Sequence, residues 1–94
     1  MPSFVVETYV DGGDQDRFAI DVDGMRALAA KVGDAGQYRH IRSYFVPSDE
    51  MGFHVVEADS QETVIRLAEA AGIDVERIVS AVGVDPRDDA ANPG

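Results

Sequence analysis

The sequence predicts an α+β domain of order βαββαβ, the split βαβ topology of ferredoxin-like sheets, on three observations. Residues 38–46 (YRHIRSYFV) and 52–58 (GFHVVEA) are rich in β-branched and aromatic side chains. The polar turn Pro47-Ser48-Asp49-Glu50-Met51 separates them. Residues 60–71 then change to helical spacing and stop at Gly72, and residues 76–84 return to strand character. The first half supplies another strand at 4–10 and another helix at 24–32. A four-stranded antiparallel sheet of this kind carries two helices on one face and leaves the other to find a partner or ligand.

Each element has its local reason. The first strand runs out into Asp11-Gly12-Gly13-Asp14-Gln15-Asp16, whose glycines are too few and wrongly spaced to cradle phosphate. Aspartates at 11, 14, 16, 21 and 23 lack the D-x-D-x-D-G run of a calcium loop, so Asp21 or Asp23 is expected to cap the first helix. Met25, Leu28, Ala29 and Val32 share one face of that helix, Gly33 ends it, and Asp34-Ala35-Gly36 leads to strand two. The second helix has Ser60 as N-cap, Glu62 in its first turn, and an apolar stripe of Val64, Leu67, Ala68 and Ala71. Gly72 suits its C′ position. Residues 1–84 thus form one domain. Residues 85–94 hold no large apolar side chain and are expected to be a disordered acidic tail.

Ninety-four residues place the core near the lower size limit for unaided folding. Cysteine is absent, which excludes disulfides, thiolate metal sites and cysteine nucleophiles. Eight basic against eighteen acidic residues give a formal charge of −10, a field that opposes nucleic acid and anionic membrane as partners. Neither a leader-like start nor a membrane-length apolar run is evident, so a cytoplasmic protein is expected.

Strand parity decides which side chains can act together. Phe4, Val6 and Thr8 fall on one face of the first strand, and Val5, Glu7 and Tyr9 on the other. A hairpin centred on residue 49 sets Tyr44 opposite His54, Arg42 opposite Val56 and Phe45 opposite Phe53. With spatial order 4-1-3-2, the uncovered face then gathers His40, Arg42, Tyr44, His54 and Val56, and Glu7 approaches His54. Glu7 and His54 could bind a borderline divalent metal through oxygen and nitrogen. Alternatively, Glu7 could orient His54 as a base while Arg42 and Tyr44 hold an anionic substrate. A packed histidine and an ordinary Glu7–Arg42 ion pair form the third reading. A one-residue slip would separate Tyr44 from His54. No serine has an acid–base partner evident in the sequence, and no G-x-S-x-G occurs.

Phe4-Val5-Val6-Glu7, Ile41-Arg42-Ser43-Tyr44-Phe45, Phe53-His54-Val55-Val56-Glu57-Ala58 and the segment from Ala70 to Ile78 together resemble a family of small bacterial ferredoxin-like proteins. That family was long of unknown function, and one actinobacterial branch of it is described as a nickel-binding dimer. The resemblance implies the same fold, a homodimer and a divalent metal such as nickel, with Glu7 carried over first. His54 stands where many members have cysteine. A histidine near Leu67 and an acidic residue near Ser80 are missing.

Three functions follow as expectations. One is a homodimeric, non-enzymatic binding protein holding a divalent metal at Glu7 and His54. The second is a dimeric α/β-barrel enzyme of isomerase or cofactor-free monooxygenase type. The third is a structural or regulatory dimer without ligand.

Overall fold

Six main elements follow one another as β1 (Ser3–Tyr9), α1 (Gln15–Val32), β2 (Tyr38–Val46), β3 (Met51–Ala58), α2 (Gln61–Ala70) and β4 (Val75–Ala81). They come from a computed structural model that describes residues 1–32 and 38–84. The strands form one antiparallel sheet in the order β2-β3-β1-β4, so the fold is α+β and ferredoxin-like, as the pattern predicts. The stop at Gly33, the connector at 34–36 and the tail at 85–94 lie outside the described residues.

The first helix departs from expectation at its start. It begins at Gln15, and Asp14 is its cap: one carboxylate oxygen accepts from the backbone N–H of Asp16 at 3.0 Å and of Arg17 at 3.1 Å. Asp21 and Asp23 therefore lie inside the helix and cap nothing. The physical reason is Phe18, which is buried and continues the apolar face of Met25 one helical repeat earlier. The second helix follows its reading. Ser60 Oγ accepts from the Thr63 N–H at 3.2 Å, Val64 and Ala68 are buried, and Gly72 adopts φ 72° beyond the last turn.

Both helices lie on one side of the sheet. Phe4, Val6 and Val56 point to that side and pack with Met25 of α1 and Val64 of α2, and Tyr38 and Ile73 join the same core. The other side carries Val5, Phe53, Val55 and Val79 in neighbouring strands. An ion pair flanks this apolar strip at either end: Glu7–Arg77 at 3.0 Å and Glu57–Arg39 at 2.8 Å. Among the described residues, no helix is long and apolar enough to cross a membrane.

Candidate functional site beneath the first helix

The hairpin register settles which side chains meet. Val46 pairs with Met51, so the turn spans residues 47–50, with Glu50 in the left-handed region at φ 55°. The pairs are Phe45 with Gly52, Tyr44 with Phe53, Ser43 with His54 and Arg42 with Val55. This is the one-residue slip from a centre at residue 49. A bulge at Ile41 then shifts the ladder once more, so that His40 pairs with Val56. Slip and bulge together place His40, Ser43 and His54 on the helix-covered face. Arg42 and Tyr44 stand on the open face, with Arg42 donating to the Tyr44 hydroxyl at 3.3 Å.

The expected meeting of Glu7 with His54 does not occur. His54 pairs with Val6, whose side chain shares its face, and Glu7 points the opposite way. Glu7 accepts two hydrogen bonds from Arg77, at 3.0 and 3.3 Å, while His54 is fully buried under α1. Nor do His54, Arg42 and Tyr44 share a substrate face. The strands place these residues as expected in sequence; the parity of β2 and β3 separates them.

What the fold assembles instead is a chain of three polar groups. His40 Nε2 lies 2.8 Å from Ser43 Oγ, and Ser43 Oγ lies 2.7 Å from His54 Nδ1. One hydroxyl holds one proton, so it donates to one imidazole and accepts from the other. The far nitrogen of His54, Nε2, is buried with no hydrogen-bond partner. An orphaned polar atom of this kind costs about 1–3 kcal/mol, so the chain is not explained by fold stability alone.

Aromatic packing fixes the inner ring. Phe18 stacks on His54 with centroids 5.1 Å apart and planes 18° from parallel, and on Phe45 at 5.1 Å and 17°. Room for Phe18 comes from Gly52: a Cβ there would lie 2.0 Å from the phenyl ring. Burial holds the His54 imidazole far below its ordinary range, at about 4, and the nearby His40 pushes the same way. His40 is lowered too, first by burial and then by the Arg26 guanidinium. Both rings are therefore neutral at pH 7.

The outer end of this chain reaches two clefts along the α1–β2 seam. One, of about 500 Å³, is lined by Tyr38, Arg39 and His40 from β2, Arg26, Ala29 and Ala30 from α1, and Met1. The other, of about 570 Å³, contains Ser43, Arg42, Phe18, Asp23 and Arg26. Both volumes fall in the usual range for small-molecule sites. Arg26 belongs to both. Sequence reading missed this seam because it turns on a bulge and on the true start of α1. The spacing of Phe18, Val22, Met25 and Ala29 was the available signal for the latter.

The donor set can be tested against the metal that the family resemblance implies. A centre needs its ligands on one side of the backbone, and Glu7 and His54 are on opposite sides with Glu7 already paired. Among the described residues, no group of three or more His, Asp or Glu side chains converges. These two residues do not fit a shared metal centre.

Fold and seam together define a small α+β protein with a single helix-clad sheet and an imidazole–hydroxyl–imidazole chain between helix and sheet. In overall fold it is similar to the crystal structure of SCO4226 from Streptomyces coelicolor A3(2), with a TM-score of 0.73 over 88% of this chain and 99% of that one. The two sequences are 17% identical, which makes this a likeness of fold. No family model matches the sequence, and no curated protein does.

Proposed function

We propose that this chain is a homodimeric binding protein that takes a small molecule in the α1–β2 seam and performs no chemistry on it. The observation that carries the reading is the His40–Ser43–His54 chain, which runs from a fully buried ring to the wall of an open cleft. Buried polar groups are expensive, and a line of them leading to a cavity is the usual build of a ligand site. Backbone NMR of the full chain during a small-molecule screen tests it. Shifts that gather at Tyr38, His40 and Ser43 are expected; responses scattered over the surface would contradict it.

Homodimerisation is supported by the open sheet face. Val5, Phe53, Val55 and Val79 form an apolar strip on the side that no helix covers, with Tyr44 exposed beside them. Pairing this strip with its own copy would be isologous, the commonest closed arrangement. At this chain length the added burial would matter to stability. Sedimentation at micromolar concentration should give a dimer, and a monomer throughout would remove this part of the reading.

One observation favours an enzymatic alternative. Ser43 lies between two neutral imidazoles, the contact a serine nucleophile needs. Hydrolysis of p-nitrophenyl acetate abolished by Ser43→Ala would move the assignment to that reading.

A further inference from the structure

The two clefts of the seam differ in charge, and the difference selects a ligand. The chain as a whole carries −10, yet among the described residues no carboxylate lines the cleft at Tyr38. Arg26, Arg39 and His40 line it instead. Asp23 belongs to the neighbouring cleft. Arg39 is already paired with Glu57 at 2.8 Å. Arg26 is exposed and forms no ion pair with any described carboxylate. The rest of the lining is apolar or aromatic: Met1, Ala29, Ala30 and the ring of Tyr38, whose hydroxyl is turned inward to Met25 Sδ at 3.7 Å.

We infer that this cleft takes a small carboxylate with an apolar tail, its head on the Arg26 guanidinium and the His40 imidazole and its tail along Tyr38, Ala29 and Ala30. A guanidinium matches a carboxylate with two parallel hydrogen bonds. Among the described lining residues one arginine is unpaired, which suits a single negative charge, whereas the field of the whole chain repels polyanions such as nucleotides. A tail of six to eight carbons is of the order that a cleft of about 500 Å³ can enclose. The inference rests on the seam being a binding site and adds what binds there.

The test uses the full chain with octanoate, below its micelle concentration, and octanol as the uncharged match. Octanoate should shift Tyr38, Ala29 and His40 resonances, and octanol should bind at least tenfold more weakly, a difference of about 1.4 kcal/mol. Arg26→Gln lies on the surface, so an unchanged backbone spectrum checks its fold. It should weaken octanoate at least tenfold and leave octanol as it was. Equal affinity for the acid and the alcohol, or octanoate binding indifferent to Arg26→Gln, would overturn the inference. If other small molecules shift the seam and octanoate does not, the carboxylate assignment falls and the binding site stands. If nothing shifts the seam, both fall.

Discussion

The two faces of this sheet are made from the same strands and have opposite characters. The covered face is closed by α1 and α2 and holds Val6, Val56 and His54 without solvent access. The open face carries Val5, Val55 and Val79 at partial exposure, with ion pairs on its flanks. Polar groups have opposite roles on the two sides. On the open face, Glu7 and Glu57 are satisfied by arginines that reach solvent, where such pairs contribute about 0–1 kcal/mol. On the covered face, His54 is buried neutral with one nitrogen unpartnered, an arrangement that costs stability. The open side therefore reads as a surface to be covered. The clad side is where the chain tolerates an expensive polar arrangement, and that is where a site is expected.

Substitutions can break this contrast, beginning with the largest effect. Phe18→Ala removes the ring that stacks on both His54 and Phe45, and large-to-small changes of this kind cost about 3–5 kcal/mol. Thermal unfolding should fall by about 12–40 °C for a domain of this size. A loss of under 3 °C would mean that α1 does not hold the seam together.

Acid sharpens the comparison next. The folded His54 imidazole binds its proton near 4, against 6.5 in the unfolded chain. Above pH 6.5 both forms are neutral and the full stability is present. As pH falls from 6.5 to about 4, only the unfolded ring takes up a proton, so stability drops by up to about 3 kcal/mol and then levels. His40 shifts in the same direction and adds to the loss. Denaturant titrations of the parent and His54→Gln should show a shallower fall over this window in the variant. Parallel curves would contradict the buried neutral ring.

On the open face the effect should appear in assembly instead. Val55→Glu sits across from Arg42 in its own sheet and leaves the protomer folded. In a face-to-face dimer it sets like charges together, at a cost of several kcal/mol, so the dissociation constant should rise about 100-fold or more by sedimentation. An unchanged constant would place the interface elsewhere. The smallest effect is expected for Glu7→Ala in a nickel titration. Because Glu7 and His54 face opposite ways, the isotherm should match the parent, and a lost binding event would restore Glu7 as a ligand.

Much of this was legible in the sequence. Helix two was bounded by Ser60 and Gly72, because a hydroxyl at the N-cap and a glycine at positive φ are local requirements. Strand order followed from topology. The start of α1 was hidden by Asp14 and Asp16, which read as loop until Phe18 is placed on the helical face. The site was hidden by two single-residue events, the turn at 47–50 and the bulge at Ile41. Alternation has a period of two, so either event alone reverses which residues meet. Neither leaves a mark in composition. Ser43 shows no partner in the sequence, and the register gives it two.

The seam depends most on His54 being a dry, neutral ring joined to Ser43 under α1. Imidazole NMR of isotopically labelled protein, titrated from pH 8 to pH 4, tests this directly. His54 should stay neutral until the pH nears 4, with its Nδ1 shift responding to Ser43→Ala. A His54 that titrates near 6.5 in the folded protein, indifferent to Ser43→Ala, would contradict it.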